Sequence, residues 1–445
     1  MEKLIAAVEK NKQLILDTER YIWKNPETGY KEFKTTAYMK DVFEKLGYTL
    51  TMAEGITGFY TVLDTGRPGP EILVLGELDS VICPDHKDAD PETGAVHSCG
   101  HNAQCAALVG VAAALKEPHV LDKLCGKIKL CAVPAEELLE IEFRSGLKKE
   151  GKIKYYGGKV EFLYRGYFDT TDIAFMVHTG QKFGMGTGSN GCLSKQVIYK
   201  GLSAHAGGSP WNGINALYAA NCGLNAINAI RETFQEKDLV RVHPIVTAGG
   251  AMVNAIPETV TLESYVRGKT FESIAEANKK VNRALTGAAL SLGANVEIVD
   301  VFGYAPRNDD ENMRVLTAKA ADLSIPEYNF ESTDVFSTGS TDMGDLSTII
   351  PSIHPRSGGV CGRSHGSDYE IVDPVAACVA CAKLQVTMLY LLLCDGAKEA
   401  KKVIEEFKPY FASKEEYFKA VDAFAKDGDR ITYNEDNTVA TVDIQ

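Results

Sequence analysis

The sequence is short of positive charge. Its 47 Lys and Arg stand against 60 Asp and Glu, a formal net charge of −13. A surface that negative argues against nucleic acid or an anionic membrane as a partner. A small anionic substrate stays open, since it needs only a local basic pocket. A secretory leader pattern is also missing. Lys3, Glu9, Lys10, Lys12 and Asp17 interrupt every apolar run in residues 1–23, and no small-residue cleavage site follows. Leu4, Ile5, Val8, Ile15 and Ile22 fall at roughly helical spacing and predict an amphipathic helix. Long apolar runs are scarce. The most apolar stretch, residues 375–394, carries Lys383 and Gln385 mid-run and reads as a buried core helix, with no membrane expected. Obvious repeats and low-complexity linkers are absent.

The cysteine count is odd, eleven, so complete intramolecular pairing is impossible. With no leader, this predicts a reducing compartment and a cytoplasmic protein. Cys378 and Cys381 form a C-x-x-C inside an alanine-rich run without a second pair, and with Cys131, Cys222 and Cys394 read as small core residues.

What is present is an ordinary globular composition, 45% hydrophobic and 24% charged over 445 residues, enough for two to three domains. Residues 71–75 (EILVL), 127–133 (KIKLCAV) and 172–177 (DIAFMV) read as buried strands, with a small-residue helix at 103–115. That rhythm predicts an α/β core with a largely parallel sheet. The character changes near Gly191. A half-exposed strand (192–200), a helix (214–232), two strands (243–247 and 259–267), a helix (274–291) and a strand (295–301) follow. This is the pattern of a ferredoxin-like α+β module. The expected architecture is an α/β catalytic domain from residues 1–190 and 305–445, interrupted by an inserted α+β domain at 191–304.

Four segments carry residues suited to chemistry. Gly76-Glu77-Leu78-Asp79 follows the first strand, where open α/β sheets place their sites. His97-Ser98-Cys99-Gly100-His101-Asn102 opens the small-residue helix, and Cys99 and His101, two apart at a loop–helix junction, can converge on one ion. A cysteine-protease arrangement wants its Cys and His from distant parts of the fold, so the close spacing favours coordination. Pro134-Ala135-Glu136-Glu137 ends the second strand. One carboxylate of that pair can bind a metal while its neighbour takes a proton from water. His178 ends the third strand, and His365 adds an imidazole near the C-terminus, close to the turn-rich loop 339–345. Each histidine alone is more easily explained structurally. Cys, His, Glu and His at successive strand ends are jointly hard to explain without a metal.

With these motifs the chain resembles the two-metal aminoacylase, dipeptidase and carboxypeptidase family, in the amidohydrolase branch that includes aminobenzoyl-glutamate hydrolase and related dipeptidase-like members. Gly201-Leu202-Ser203-Ala204-His205-Ala206, Asn254-Ala255-Ile256-Pro257-Glu258 and Ser340-Thr341-Asp342-Met343-Gly344 extend the match, which covers most of the chain. The resemblance implies that Cys99, His101, Glu137, His178 and His365 are metal ligands, with Cys99 bridging. It implies that Glu136 is the general base and that Asp79 orients His101. It implies that His205 reaches a neighbouring subunit's active site to stabilise the oxyanion, and that Asn254 and Arg267 hold the substrate's carboxylate. Residues 191–304 then become a lid and dimerisation domain of a homodimer.

The sequence departs from the family pattern in places. Asn102 and Gln104 stand where an aspartate and a histidine are common, and Leu138-Leu139-Glu140-Ile141 replaces the usual glycines. A basic, aromatic insertion spans 148–164, and a polar loop at 84–93 carries His86, read as solvated. The expected activity is metal-dependent hydrolysis of the amide between an acyl, aroyl or aminoacyl group and an amino acid with a free carboxylate. One or two divalent transition ions per chain are expected, zinc first, with manganese, cobalt or nickel also acceptable to such ligands. The competing expectation is a catalytically silent metal-binding scaffold or regulatory subunit. A scaffold has no chemical need for Glu136.

Overall fold

The computed structural model describes residues 1–444. Its central sheet has six strands, in the order Thr51–Met52, Phe59–Asp64, Lys127–Val133, Glu71–Glu77, Ile173–Phe175, Ser352–Ile353. The last four run parallel, and the first two are antiparallel additions at one edge. All of Glu71–Glu77 is buried, as is Lys127–Val133 beyond its first residue. Covered on both faces, such strands have no exposed side, so they read as unbroken apolar runs. From Glu71–Glu77 the chain crosses to one neighbour, Lys127–Val133, and then returns to the other, Ile173–Phe175. This reversal opens a crevice beyond the carboxyl ends of the strands, where ligands of open α/β sheets bind.

The helix His101–Leu115 covers one face and is buried along its whole length. Its small residues permit this: a Cβ at Gly110 would press into Ile15 and Ala382. Glycine thus lets Lys12–Trp23 and Cys381–Leu393 pack close on either side. The apolar stretch Val375–Leu393 is long enough to cross a membrane, and 78% of it is buried inside the fold. All eleven cysteines are free.

A second, antiparallel sheet carries Gly191–Lys200, Arg241–Val242, Thr259–Gly268 and Asn295–Tyr304, ordered Arg241–Val242, Thr259–Gly268, Gly191–Lys200, Asn295–Tyr304, with Ile245–Ala248 also on Thr259–Gly268. The helices Ala216–Ala229 and Phe271–Ser291 pack on one face. Thr259–Gly268 alternates buried and part-exposed residues as a strand with a single covered face should. The C-terminal hairpin, Ile431–Tyr433 with Ala440–Val442, packs on this second core through Ile431, and Arg430 donates to the carbonyl of Ile298. The expected division at residue 305 groups this hairpin with the catalytic domain. The apolar side chain of Ile431 is instead covered by the second sheet.

The insertion starts at the end of the helix Ile141–Lys149 and carries the helix Gly158–Tyr164, whose Val160, Phe162 and Leu163 pack on the other face of the central sheet. His86 is also not solvated. It is 4% exposed, with Nε2 2.9 Å from the Tyr369 carbonyl, because the polar loop folds back over the C-terminal segment.

Candidate metal centre

The carboxyl ends of the parallel strands bring together residues that are far apart in sequence. His101 opens its helix after Gly100, which has φ +86°, and a Cβ at Gly100 would collide with Thr179 and Tyr369. The glycine therefore allows both the left-handed turn and the close approach of the neighbouring loops. The Thr179 hydroxyl donates to the Cys99 carbonyl (3.1 Å), and the His365 N–H donates to the Ser98 carbonyl (2.8 Å). Two distant loops are thereby tied to the Cys-Gly-His turn. Ala135 and His365 both have positive φ, 55° and 62°. Left-handed backbone at residues other than glycine is concentrated at functional sites, where surrounding contacts hold it.

Cys99, His101 and His178 present ligand atoms within 4.8 Å of one another, as do Cys99, Glu137 and His365. Cys99 belongs to both groups. Cys99 Sγ lies 3.4 Å from His178 Nε2, and His365 Nε2 lies 3.0 Å from Glu137 Oε1. A third group joins Glu77, His101 and Glu136. The donor set fits a transition metal: thiolate, imidazole and carboxylate are the ligands such ions take. His101 Nε2, buried and aimed at the centre, faces a Glu77 carboxylate oxygen at 3.1 Å but makes no hydrogen bond of good geometry. A buried polar atom left so is costly, and coordination satisfies it.

The supporting contacts orient these ligands. Asp79 accepts from the Glu137 backbone N–H at 2.7 Å, and its Oδ1 and carbonyl lie 3.2 and 2.9 Å from His101 Nδ1. A proton on Nδ1 leaves Nε2 free as a ligand, the arrangement common for metal-bound histidine. The Thr179 carbonyl holds His178 Nδ1 at 2.7 Å in the same way. Burial and the Glu137 charge push the Cys99 thiol up, but His178, His101 and His365 outweigh them and bring it down to about 5. It is a thiolate at neutral pH. Burial, then the charges of Glu77 and Glu137, holds Glu136 well above the usual carboxylate range. Burial also opposes ionisation of Glu137, yet the charge and hydrogen bond of His365 bring it well below that range. Adjacent carboxylates thus have opposite proton affinities, the division expected between an acid–base group and a ligand.

Cys99, Glu136, Glu137, His178 and His365 line a cavity of about 410 Å³, and Arg267 reaches it from the second sheet. Asn102 instead pairs with Glu19, and Gln104 is buried without a hydrogen-bond partner, so neither joins the ligand groups. His205 and Asn254 do not line the cavity of their own chain. Both are exposed, and they sit beside each other through the His205–Ala255 bridge.

Sequence reasoning missed Lys159. It lies in the insertion, fully buried, with Nζ 2.5 Å from both Glu77 Oε1 and Asp342 Oδ1. The Tyr304 hydroxyl donates to the Glu136 carbonyl and the Tyr265 hydroxyl to that of Leu138, so the second sheet grips the Glu-Glu turn. A lysine directly after Gly157-Gly158 and before an apolar run was the available signal for Lys159. Lys159→Met should destabilise the protein by roughly 3–5 kcal/mol in denaturant unfolding, because two buried carboxylates lose their counter-charge. A change below about 1 kcal/mol would show that the triad contributes little.

A sheet-end cluster of thiolate, imidazoles and paired carboxylates above a parallel α/β core defines a metal-dependent hydrolase. The chain matches the model of peptidase family M20/M25/M40 over residues 73–390, most of its length, and belongs to that family. It hydrolyses amide bonds. Among curated relatives, it is 29% identical to the Xaa-Arg dipeptidase of Mus musculus over 348 residues, covering 76% of this chain and 74% of that one. It is 27% identical to one of the p-aminobenzoyl-glutamate hydrolase polypeptides of Escherichia coli, covering 73% and 66%. It is 30% identical to the N-acetyl-L-cysteine deacetylase of Bacillus subtilis, covering 70% and 72%. The fold resembles a dinuclear metal-binding M20 peptidase of Bacillus subtilis, with TM-score 0.63, 19% identity, and 86% and 99% of the two chains covered. It also resembles an aminobenzoyl-glutamate utilization protein of Klebsiella pneumoniae, with TM-score 0.64, 19% identity, and 88% and 99% covered.

Proposed function

We propose that this protein is a two-metal amidohydrolase that releases an amino acid with a free carboxylate from an acyl, aroyl or aminoacyl group. Cys99 carries the reading: one thiolate belongs to two ligand groups, and an acid–base carboxylate, Glu136, stands beside them. A bound divalent metal, zinc first, supplies a Lewis acid and lowers the pKa of water toward about 7. Glu136 takes the proton from the attacking water and later delivers it to the leaving amine. Arg267, whose Nε is buried without a hydrogen-bond partner, receives the substrate's carboxylate, with Asn254 supplied by a second subunit. The compartment we propose is the cytoplasm, with no membrane attachment. Metal analysis of the purified protein, with a panel of N-acyl amino acids and dipeptides on the same preparation, tests the reading. A metal-loaded protein that cleaves none of them would return the scaffold alternative.

We further propose that residues 191–304 form a lid and dimerisation domain, and that His205 and Asn254 act in the partner's site. Their surroundings support this. Trp211, Met252 and Val253, near them in sequence, are 78%, 62% and 100% exposed, and Ile245–Ala248 is an exposed strand. Exposed apolar surface of this kind marks an interaction site. His205 Nδ1 accepts from the N–H groups of Gly207 (3.2 Å) and Gly208 (2.9 Å), which leaves Nε2 as a donor suited to an oxyanion. Mixing inactive His205→Ala with inactive Glu136→Gln, under subunit exchange, should restore activity, because one site of the heterodimer then collects both defects. No recovery despite demonstrated exchange would confine His205 to its own chain.

A further inference from the structure

The cavity at the metal centre does not end at the ligands. A second cavity, also about 410 Å³, adjoins it, and the two share Arg307, Ser337, His354 and Arg356 as walls. Three arginines, Arg267, Arg307 and Arg356, face the first cavity, although the chain is acidic overall. Arg267 comes from the second sheet. The other two come from the catalytic domain, so cationic groups stand on both sides of the space where an amide would lie.

Arg307 is only 7% exposed. Its Nη1 donates to the His354 carbonyl at 2.9 Å and meets Asp309 Oδ1 at 3.3 Å, and its Nε has no hydrogen-bond partner. Asp309 is shared, because Arg314 also acts on it. Arg356 is exposed toward the cavities and makes no ion pair among the described residues. His354 adds a buried Nε2 without a hydrogen-bond partner, its ring 5.6 Å from that of His178. A buried guanidinium, a free guanidinium and an unsatisfied imidazole nitrogen on one wall form a site for an anion.

We propose that Arg307, His354 and Arg356 form a second anion subsite, which takes a second carboxylate of the substrate while Arg267 takes the first. Resting on the amidohydrolase reading, this makes the substrate a doubly anionic amide. A basic side chain would be repelled by the same wall. The second carboxylate has two possible sources, the side chain of a released acidic amino acid or an acid group on the acyl side.

The test compares kcat/KM for N-benzoyl-glutamate, N-benzoyl-glutamine, N-benzoyl-arginine and N-succinyl-alanine, in the wild type and in Arg356→Glu. The wild type should prefer an acid over its neutral or basic counterpart by about 10–100-fold, the scale of one charged hydrogen-bonded contact. Preference for benzoyl-glutamate places the second carboxylate on the released residue, and preference for succinyl-alanine places it on the acyl side. Arg356→Glu should reverse the order of the glutamate and arginine substrates, which a merely structural change would not do. Equal wild-type rates on all four substrates would overturn the subsite and leave the hydrolase standing. If none is cleaved, the hydrolase reading fails, and calorimetric binding of glutarate decides the subsite separately. Binding at least about tenfold weaker in Arg356→Glu supports it, and unchanged binding overturns it.

Discussion

Glu136→Gln should keep its metal and lose turnover by about 10²–10⁴, the usual scale for removing a general base. The amide fills the same space beside His101, where Glu136 Oε2 now lies 3.9 Å from Nε2, but it cannot accept a proton from water. Burial and the neighbouring carboxylates already hold Glu136 above the ordinary range, so it holds a proton more readily than a surface glutamate does. Glu137→Gln should behave differently. Glu137 Oε1 is 3.0 Å from His365 Nε2 and belongs to a ligand group with Cys99, so its loss should release metal before it alters any chemical step. Measuring metal content and kcat on both variants separates the roles. Metal loss in the first variant with retention in the second would mean that the two carboxylates had been assigned the wrong way round.

Stripping the metal with a strong chelator should abolish hydrolysis, and adding zinc or manganese back should restore it. Activity that survives in metal-free protein would instead point to Cys99 as a nucleophile, since its Sγ stands 3.4 Å from His178. Alkylation gives a second readout. In the stripped protein Cys99 should react with iodoacetamide as a thiolate, and its rate should fall as the pH drops through about 5, where the thiol regains its proton. Re-adding metal should protect it. Alkylation that is equally fast with and without metal would mean that no ion engages the sulfur.

The ligand candidates were legible because they sit where local pattern and chemistry coincide. Buried parallel strands are unbroken apolar runs, so the polar residues that end them, Glu77, Glu136, Glu137 and His178, stand out in the sequence. The two-residue spacing of Cys99 and His101 at a glycine turn is local as well. The alternation after Gly191 likewise announced a sheet with one covered face. The solvation of His86 was misjudged because the sequence does not show which loop folds back on which.

What tertiary structure alone decided is the rest of the wall. Lys159 reads as one more cation in a basic insertion, yet it reaches across 82 residues to Glu77 and 183 to Asp342. Arg307, His354 and Arg356 lie in segments with no motif, and become one surface only when the Ser352–Ile353 strand pairs with Ile173–Phe175 and the loops beyond it turn toward the ligand candidates. His205 and Asn254 carry recognisable motifs, but the fold leaves both exposed in the loops after Gly191–Lys200 and before Thr259–Gly268, outside their own chain's cavity. The physical reason is the same throughout. Strand, helix and turn preferences act over a few residues and are written locally, whereas a pocket is made by side chains whose meeting depends on the order of strands in the sheet.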